Sequence, residues 1–130
     1  MKHLIALVVV ALLVAGCSSK GKNASSQNAA AQGGLSVSTS FNPDPPRQGA
    51  QALTITVRNA DGTPTKGAIV KVTTQMPTMS MSGPTATATD NGDGTYSANL
   101  SLQYATSWHF IITASNNGKT ARNEVVEDVK

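Results

Sequence analysis

Catalytic and nucleic-acid-binding side chains are scarce in this 130-residue chain. It has two histidines and no G-x-S-x-G segment, so its serines cannot be assigned to a Ser-His-Asp arrangement. Aromatic residues make up 4% of the chain and offer no stacking platform for bases. Ten Lys and Arg against seven Asp and Glu give a net charge of +3, without a dense basic patch. We therefore expect neither an enzyme nor a nucleic-acid-binding protein.

Cys17 is the single cysteine, which excludes an intramolecular disulfide. An apolar run over residues 4–15 precedes it, with the length of a signal-peptide core rather than of a membrane-spanning helix. The run ends in Leu-Val-Ala-Gly directly before Cys17, a segment that resembles the bacterial lipobox. The resemblance implies that residues 1–16 are a lipoprotein signal peptide and that the Cys17 thiol carries lipid. The alternative is an ordinary signal peptide followed by a free cysteine.

Lipid on Cys17 would anchor the protein to a membrane. Ser18 follows the cysteine, and by resemblance to Gram-negative sorting rules this favours the outer membrane, with the domain facing the periplasm. In a host with one membrane, the domain would face the extracellular side. Residues 17–34 lack large apolar side chains and are rich in Ser, Ala, Asn, Gln and Gly. We expect them to form a flexible linker with a reach of roughly 20–25 Å.

The remaining residues, 35–130, suffice for one domain with a modest core. Apolar and polar residues alternate with period two over 35–41, 53–58, 68–75, 96–102 and 108–114. A less regular strand is predicted at 119–126, and a short peripheral one at 85–89. No long stretch has a helical apolar stripe. The pattern predicts an all-β fold, an immunoglobulin-like antiparallel β-sandwich of about seven strands. A small barrel is the alternative.

The segment Asp-Asn-Gly-Asp-Gly at residues 90–94 resembles a calcium loop superficially. An EF-hand needs oxygen ligands at alternate positions and a glutamate at the twelfth. Counted from Asp90, the third position is Gly92 and the twelfth is Ser101. We therefore predict a hairpin turn here.

Three of the four methionines, Met76, Met79 and Met81, lie within six residues, and the fourth is Met1. Thioether sulfur is soft and uncharged, so it suits Cu(I) better than hard cations. Two or three converging thioethers would form a low-coordinate Cu(I) or Ag(I) site. Methionine also fills irregular gaps at the end of a core, and an exposed cluster could bind a protein partner. All three interpretations are open at this point.

The cluster begins at the end of a predicted strand. Met76 continues the inward parity of Val70 and Val72, and Pro77 ends regular pairing. Met79 and Met81 are predicted to lie in the following loop. If that loop is extended, they share a face about 7 Å apart, and a turn at Pro77 could bring Met76 round to them.

His109 is a further candidate ligand. Its neighbours Trp108 and Phe110 are predicted to take the core face, so His109 should point outward or towards a flanking loop. Imidazole completes many copper sites, and a Met/His site would form if the methionine loop folds over this strand. The alternative is an exposed histidine without a ligand role.

Several motifs occur in a defined order. A turn at 59–64 precedes Gly-Ala-Ile-Val at 67–70, then Met-Pro-x-Met-x-Met at 76–81, Gly-x-Gly-x-Tyr at 92–96, and Trp108 in the penultimate strand. This order resembles the YtkA-like domain, which is similar to the periplasmic part of FixH proteins, over roughly residues 35–114. The resemblance implies an immunoglobulin-like sandwich with the methionine loop at one end and with Trp108 and Tyr96 as core anchors.

The same resemblance implies a function. FixH-like relatives are associated with the assembly of copper-containing respiratory oxidases, and similar domains accompany metal-efflux components. A copper(I) role is thereby implied for Met76, Met79 and Met81, with copper-handling or efflux proteins of the envelope as partners. We therefore expect a lipid-anchored, non-enzymatic domain that binds or relays copper(I). A structural or protein-interaction module of the cell envelope that needs no metal is the alternative.

Overall fold

The computed structural model describes residues 30–130, which form two antiparallel β-sheets. The strands of this part of the chain are β1 (Ala30–Gln32), β2 (Leu35–Asn42), β3 (Gly49–Asn59), β4 (Ile69–Met76), β5 (Met81–Thr87), β6 (Thr89–Asp90), β7 (Thr95–Leu102), β8 (Ser107–Asn116) and β9 (Lys119–Asp128). A short 3-10 helix, Pro77–Met79, lies between β4 and β5. The predicted signal peptide, the lipidation site Cys17 and most of the predicted linker lie outside the described residues.

The strand order identifies the fold. One sheet has the order β1-β2-β3-β7-β6, and the other has the order β5-β4-β8-β9. Strands β2, β3, β7 and β6 take the places of A, B, E and D in an immunoglobulin domain, while β4, β8 and β9 take those of C, F and G. The predicted immunoglobulin-like sandwich is confirmed. The barrel alternative is wrong, because neither sheet closes on itself within the described residues.

The predicted inward faces are buried. The largest fully buried side chains include Trp108, Tyr96 and Phe110, so the two predicted core anchors are confirmed. Phe41 of one sheet meets Phe110 of the other edge to face, with ring centroids 5.0 Å apart. Alternation therefore assigned the strand faces correctly, because each strand of the sandwich has one face on the core.

Tyr96 also fixes the connection that precedes β4. Its hydroxyl donates a hydrogen bond to the Thr65 carbonyl oxygen (2.7 Å) and accepts one from the Ala68 amide (3.0 Å). Two backbone groups of the loop are thereby satisfied by one buried phenol. Burial, the largest cause, raises the pKa of Tyr96 above the usual value of 10.0.

Several element boundaries differ from the prediction, and β3 begins at Gly49 rather than at 53. Ala30–Gln32 form β1, paired with Leu35–Val37, although these residues were expected in the flexible linker. Gly33 and Gly34 form the turn between them at φ +56° and +83°, which glycine adopts without strain. Strand β5 begins at Met81 rather than at 85, because it pairs with β4 along its length.

The segment at 90–94 is the turn between β6 and β7, as predicted. The Asp93 carboxylate accepts hydrogen bonds from the hydroxyl (2.6 Å) and the amide (3.0 Å) of Thr95, which lower the pKa of Asp93. The Asp90 carboxylate accepts bonds from the amides of Gly92 (2.7 Å) and Gly67 (2.8 Å). Both carboxylates stabilise backbone turns.

The methionine segment and residues 30–35 lie at opposite ends of the sandwich. Leu35 pairs with Asn59 at one end, whereas Asn42 and Gly49 mark the other. At that second end, the hydroxyls of Thr78 and Thr106 lie 3.0 Å apart, so the turn after β4 contacts the connection between β7 and β8. No helix among residues 30–130 is long and apolar enough to cross a membrane.

Candidate metal site at the methionine turn

Residues 76–81, here called the methionine turn, reverse the chain between β4 and β5. Pro77 begins the 3-10 helix, where its missing N–H costs no hydrogen bond. Ser80 takes a left-handed conformation (φ 50°), and its amide donates to the Pro77 carbonyl oxygen (3.2 Å). Met76 and Met81 then stand directly opposite each other in the strand register. Side chains at such positions share a face, with Cβ atoms about 4.5–5.5 Å apart.

The three methionines differ in exposure. Met76 is 2% exposed, whereas Met79 is 42% and Met81 46% exposed. Of the two arrangements considered for this segment, the extended one does not occur, because Met79 lies on the 3-10 helix and Met81 on β5 rather than in a loop. The turn instead pairs the buried Met76 with the half-exposed Met81.

Two cavities adjoin this pair. One, of about 310 Å³, is lined by Met76, Met81, Ser82, Gly83, Pro84, Ser101, Gln103, Tyr104 and Trp108. The other, of about 220 Å³, is lined by Gln75, Met76, Pro77, Ser80, Met81 and Ser82. Met76 and Met81 line both cavities, while Met79 lines neither. All of these lining residues are uncharged, and the methionine sulfurs are the softest donors among them.

Trp108 forms a buried wall of the larger cavity. Its indole is fully buried, and Nε1 donates to the Tyr104 carbonyl oxygen at 2.9 Å. Strand β5 crosses the indole at Gly83, where an added Cβ would lie 2.3 Å from Trp108 Cζ3. The strand thus approaches the ring as closely as a glycine permits.

A β-bulge allows this approach. The register between β4 and β5 shifts after Thr73, so Gly83 and Pro84 together oppose Thr74. The Thr74 hydroxyl donates to the Pro84 carbonyl oxygen at 2.6 Å. Sequence reasoning missed Gly83 and Tyr104 as parts of this site. The Gly-Pro pair in a strand is a bulge signal that could have indicated the first.

His109 lies on the other face of its sheet. Its strand neighbours are Gln75 and Val126, and its Nε2 is 3.1 Å from Glu124 Oε2. Met76 faces the core, so the sheet separates it from the imidazole. This placement does not support the prediction that His109 completes the methionine site, and the physical reason is strand parity.

Other metal-binding chemistry is limited in the described part of the chain. Residues 30–130 contain no group of three or more His, Cys, Asp or Glu side chains placed to hold a metal ion. The paired methionines are therefore the candidate ligands in this region. Neutral sulfur donors fit Cu(I) or Ag(I) and do not fit Mg²⁺ or Ca²⁺, which take oxygen ligands.

The fold and the turn define a class of protein. It is an immunoglobulin-like β-sandwich with two methionines paired across the turn between β4 and β5. The YtkA-like family model matches residues 29–113, well over half of the chain, and the protein belongs to this family. The match includes all three methionines of the turn and confirms the resemblance drawn from the motif order. Comparison with curated protein sequences found no significant match.

Proposed function

We propose that this protein is a lipid-anchored domain of the cell envelope that binds or relays copper(I) through the methionine turn. The observation that carries the proposal is the direct cross-strand pairing of Met76 with Met81. The hairpin places the backbones of the two methionines side by side whether or not metal is bound, so only their side chains need ordering on binding.

Met76 and Met81 are the proposed core ligands, and Met79 is the proposed mobile third. Met79 lines neither cavity and is 42% exposed, so its sulfur can swing towards an incoming ion. An exposed third thioether also suits transfer, because a partner can replace it without opening the fold. His109 is left out of the proposed site.

The proposed orientation follows from the ends of the sandwich. Strand β2 has eight residues and extends for about 26 Å from the end where β1 lies. The chain enters β1 at Ala30, which pairs with Val37 in the half of β2 away from the methionine turn. A lipid on Cys17 would thus tether the domain nearer to that half, and the methionine turn is proposed to face the aqueous compartment. A copper-handling or efflux partner could reach it there, in the periplasm or, with one membrane, outside the cell.

The second candidate is a metal-independent interaction module. It is favoured by the exposure of three large apolar side chains, Met79, Met81 and Tyr104, at one end of the domain. A pull-down from envelope extracts that depends on these side chains, but not on copper or chelator, would favour this function.

The test is copper(I) competition against a chromogenic chelator, with full-length protein in detergent under reducing conditions. The variant carries Met76→Leu, Met79→Leu and Met81→Leu, which roughly conserve volume. We expect its affinity to fall by about tenfold or more, because the ligands themselves are lost. His109→Ala is the matched control and should retain wild-type affinity. Equal, weak copper retention by wild type and triple variant would contradict the proposal.

A further inference from the structure

Tyr104 is the exposed aromatic residue of the larger cavity. It lies in the connection between β7 and β8, is 42% exposed, and lines the same space as Met76 and Met81. The rest of that lining is small, amide or buried, so Tyr104 is the large aromatic group that a ligand can reach from solvent.

The position of Tyr104 is held by the core. Its carbonyl oxygen accepts the hydrogen bond from Trp108 Nε1, and Trp108 is fully buried. Two residues on, the Thr106 carbonyl oxygen accepts from the Val129 amide at 3.0 Å. The backbone of the connection that carries Tyr104 is thus bonded at residues 104 and 106, so binding of a ligand need not order this backbone.

A cation between Met76 and Met81 would meet no negative side chain, since all lining residues of both cavities are neutral. The face of an aromatic ring carries partial negative charge and attracts a cation within about 6 Å of its centroid. Arene faces and thioethers are both soft and uncharged, so they suit the same kind of ion.

We propose that Tyr104 is an additional binding residue of the methionine site, whose ring stabilises a bound soft monovalent cation and shields it from water. This inference rests on the proposed function. It identifies the ligand as a monovalent soft ion held by the methionine thioethers and an aromatic face, rather than by sulfur alone.

The test compares Tyr104→Leu with Tyr104→Phe in full-length protein, with Ag(I) as a redox-stable probe. Both variants keep the backbone carbonyl that Trp108 binds, and only the first removes the ring. We expect Tyr104→Leu to weaken Ag(I) binding by about 3- to 30-fold, the range of a cation–π contact. Tyr104→Phe should stay within about twofold, because the ring face remains.

Trp108 provides a second readout, since it is the only tryptophan in the chain. Ag(I) in the cavity should change its emission in wild type and in Tyr104→Phe, and Met76→Leu with Met81→Leu should abolish that change. Without Ag(I), the emission and unfolding temperature of Tyr104→Leu should match wild type, which distinguishes a binding role from a structural one.

The outcomes separate the two proposals. Wild-type Ag(I) affinity in Tyr104→Leu would overturn the role of the ring and leave the methionine site intact. Equal losses in the Leu and Phe variants would also overturn it, because the hydroxyl would then be responsible. Failure of the wild type to bind Ag(I) or Cu(I) would overturn both this inference and the proposed function.

Discussion

A methyl group at Gly83 tests the packing beneath the methionine turn most directly. An added Cβ would lie 2.3 Å from Trp108 Cζ3 and 2.4 Å from Thr74 Oγ1. Both neighbours are 0% exposed, so neither can swing into solvent to make room. Gly83→Ala must therefore move β5 outward or displace the indole.

The expected cost follows from these contacts. Overpacking a close-packed site typically costs about 1–3 kcal/mol. Moving β5 also strains the bond from the Thr74 hydroxyl to the Pro84 carbonyl, worth about 0.5–1.5 kcal/mol. Restricting the unfolded chain offsets roughly 0.4–1 kcal/mol of this. Together these effects give about 0.5–4 kcal/mol, and we expect Gly83→Ala to lower the free energy of unfolding by roughly the middle of this range, about 2 kcal/mol.

The assay is urea unfolding followed by Trp108 emission and by circular dichroism. Ser82→Ala is the matched control, because Ser82 is exposed on the same strand and should change stability by less than about 0.5 kcal/mol. A second background, Trp108→Phe, removes the ring that the methyl group meets. There, Gly83→Ala should cost at least about 0.5 kcal/mol less than in wild type.

Two results would refute this reasoning. A Gly83→Ala protein within about 0.5 kcal/mol of wild type would mean that β5 does not lie against the indole. The same cost in both backgrounds would mean that the strain comes from Thr74 or the backbone rather than from Trp108.

Two further predictions concern the core. Trp108→Ala should lower the free energy of unfolding by about 3–5 kcal/mol in urea titrations followed by circular dichroism, and a loss below about 1 kcal/mol would mean that the strand parity is reversed. Tyr96→Phe should cost about 1–3 kcal/mol at neutral pH, because Thr65 and Ala68 lose their buried partner. Since burial raises the folded-state pKa of Tyr96, the wild type is stabilised by this group below pH 10 and loses that contribution as pH rises through the folded pKa. Urea titrations across this range should show a steeper alkaline loss in wild type than in Tyr96→Phe, and equal slopes would contradict it.

Period-two alternation correctly predicted the inward faces of the long strands and the burial of Met76. It failed where the ladder is irregular. The bulge at Gly83 and Pro84 interrupts the alternation of β5, so the strand was predicted to be short and peripheral. The sequence of β1, Ala-Ala-Gln, has no large apolar residue, so alternation could not reveal this strand. It is a strand because it pairs with β2 through the turn at Gly33 and Gly34.

The sequence by itself determined the long regular strands, their core faces, the family and the soft chemistry of three clustered methionines, because each of these depends on residue type and local spacing. Only the tertiary structure decided which side chains meet. Strand register paired Met76 with Met81, and strand parity turned His109 to the opposite face. The hydrogen bond from Trp108 brought Tyr104 beside the pair from another connection. Contacts between strands depend on register and on distant partners, which local periodicity does not specify.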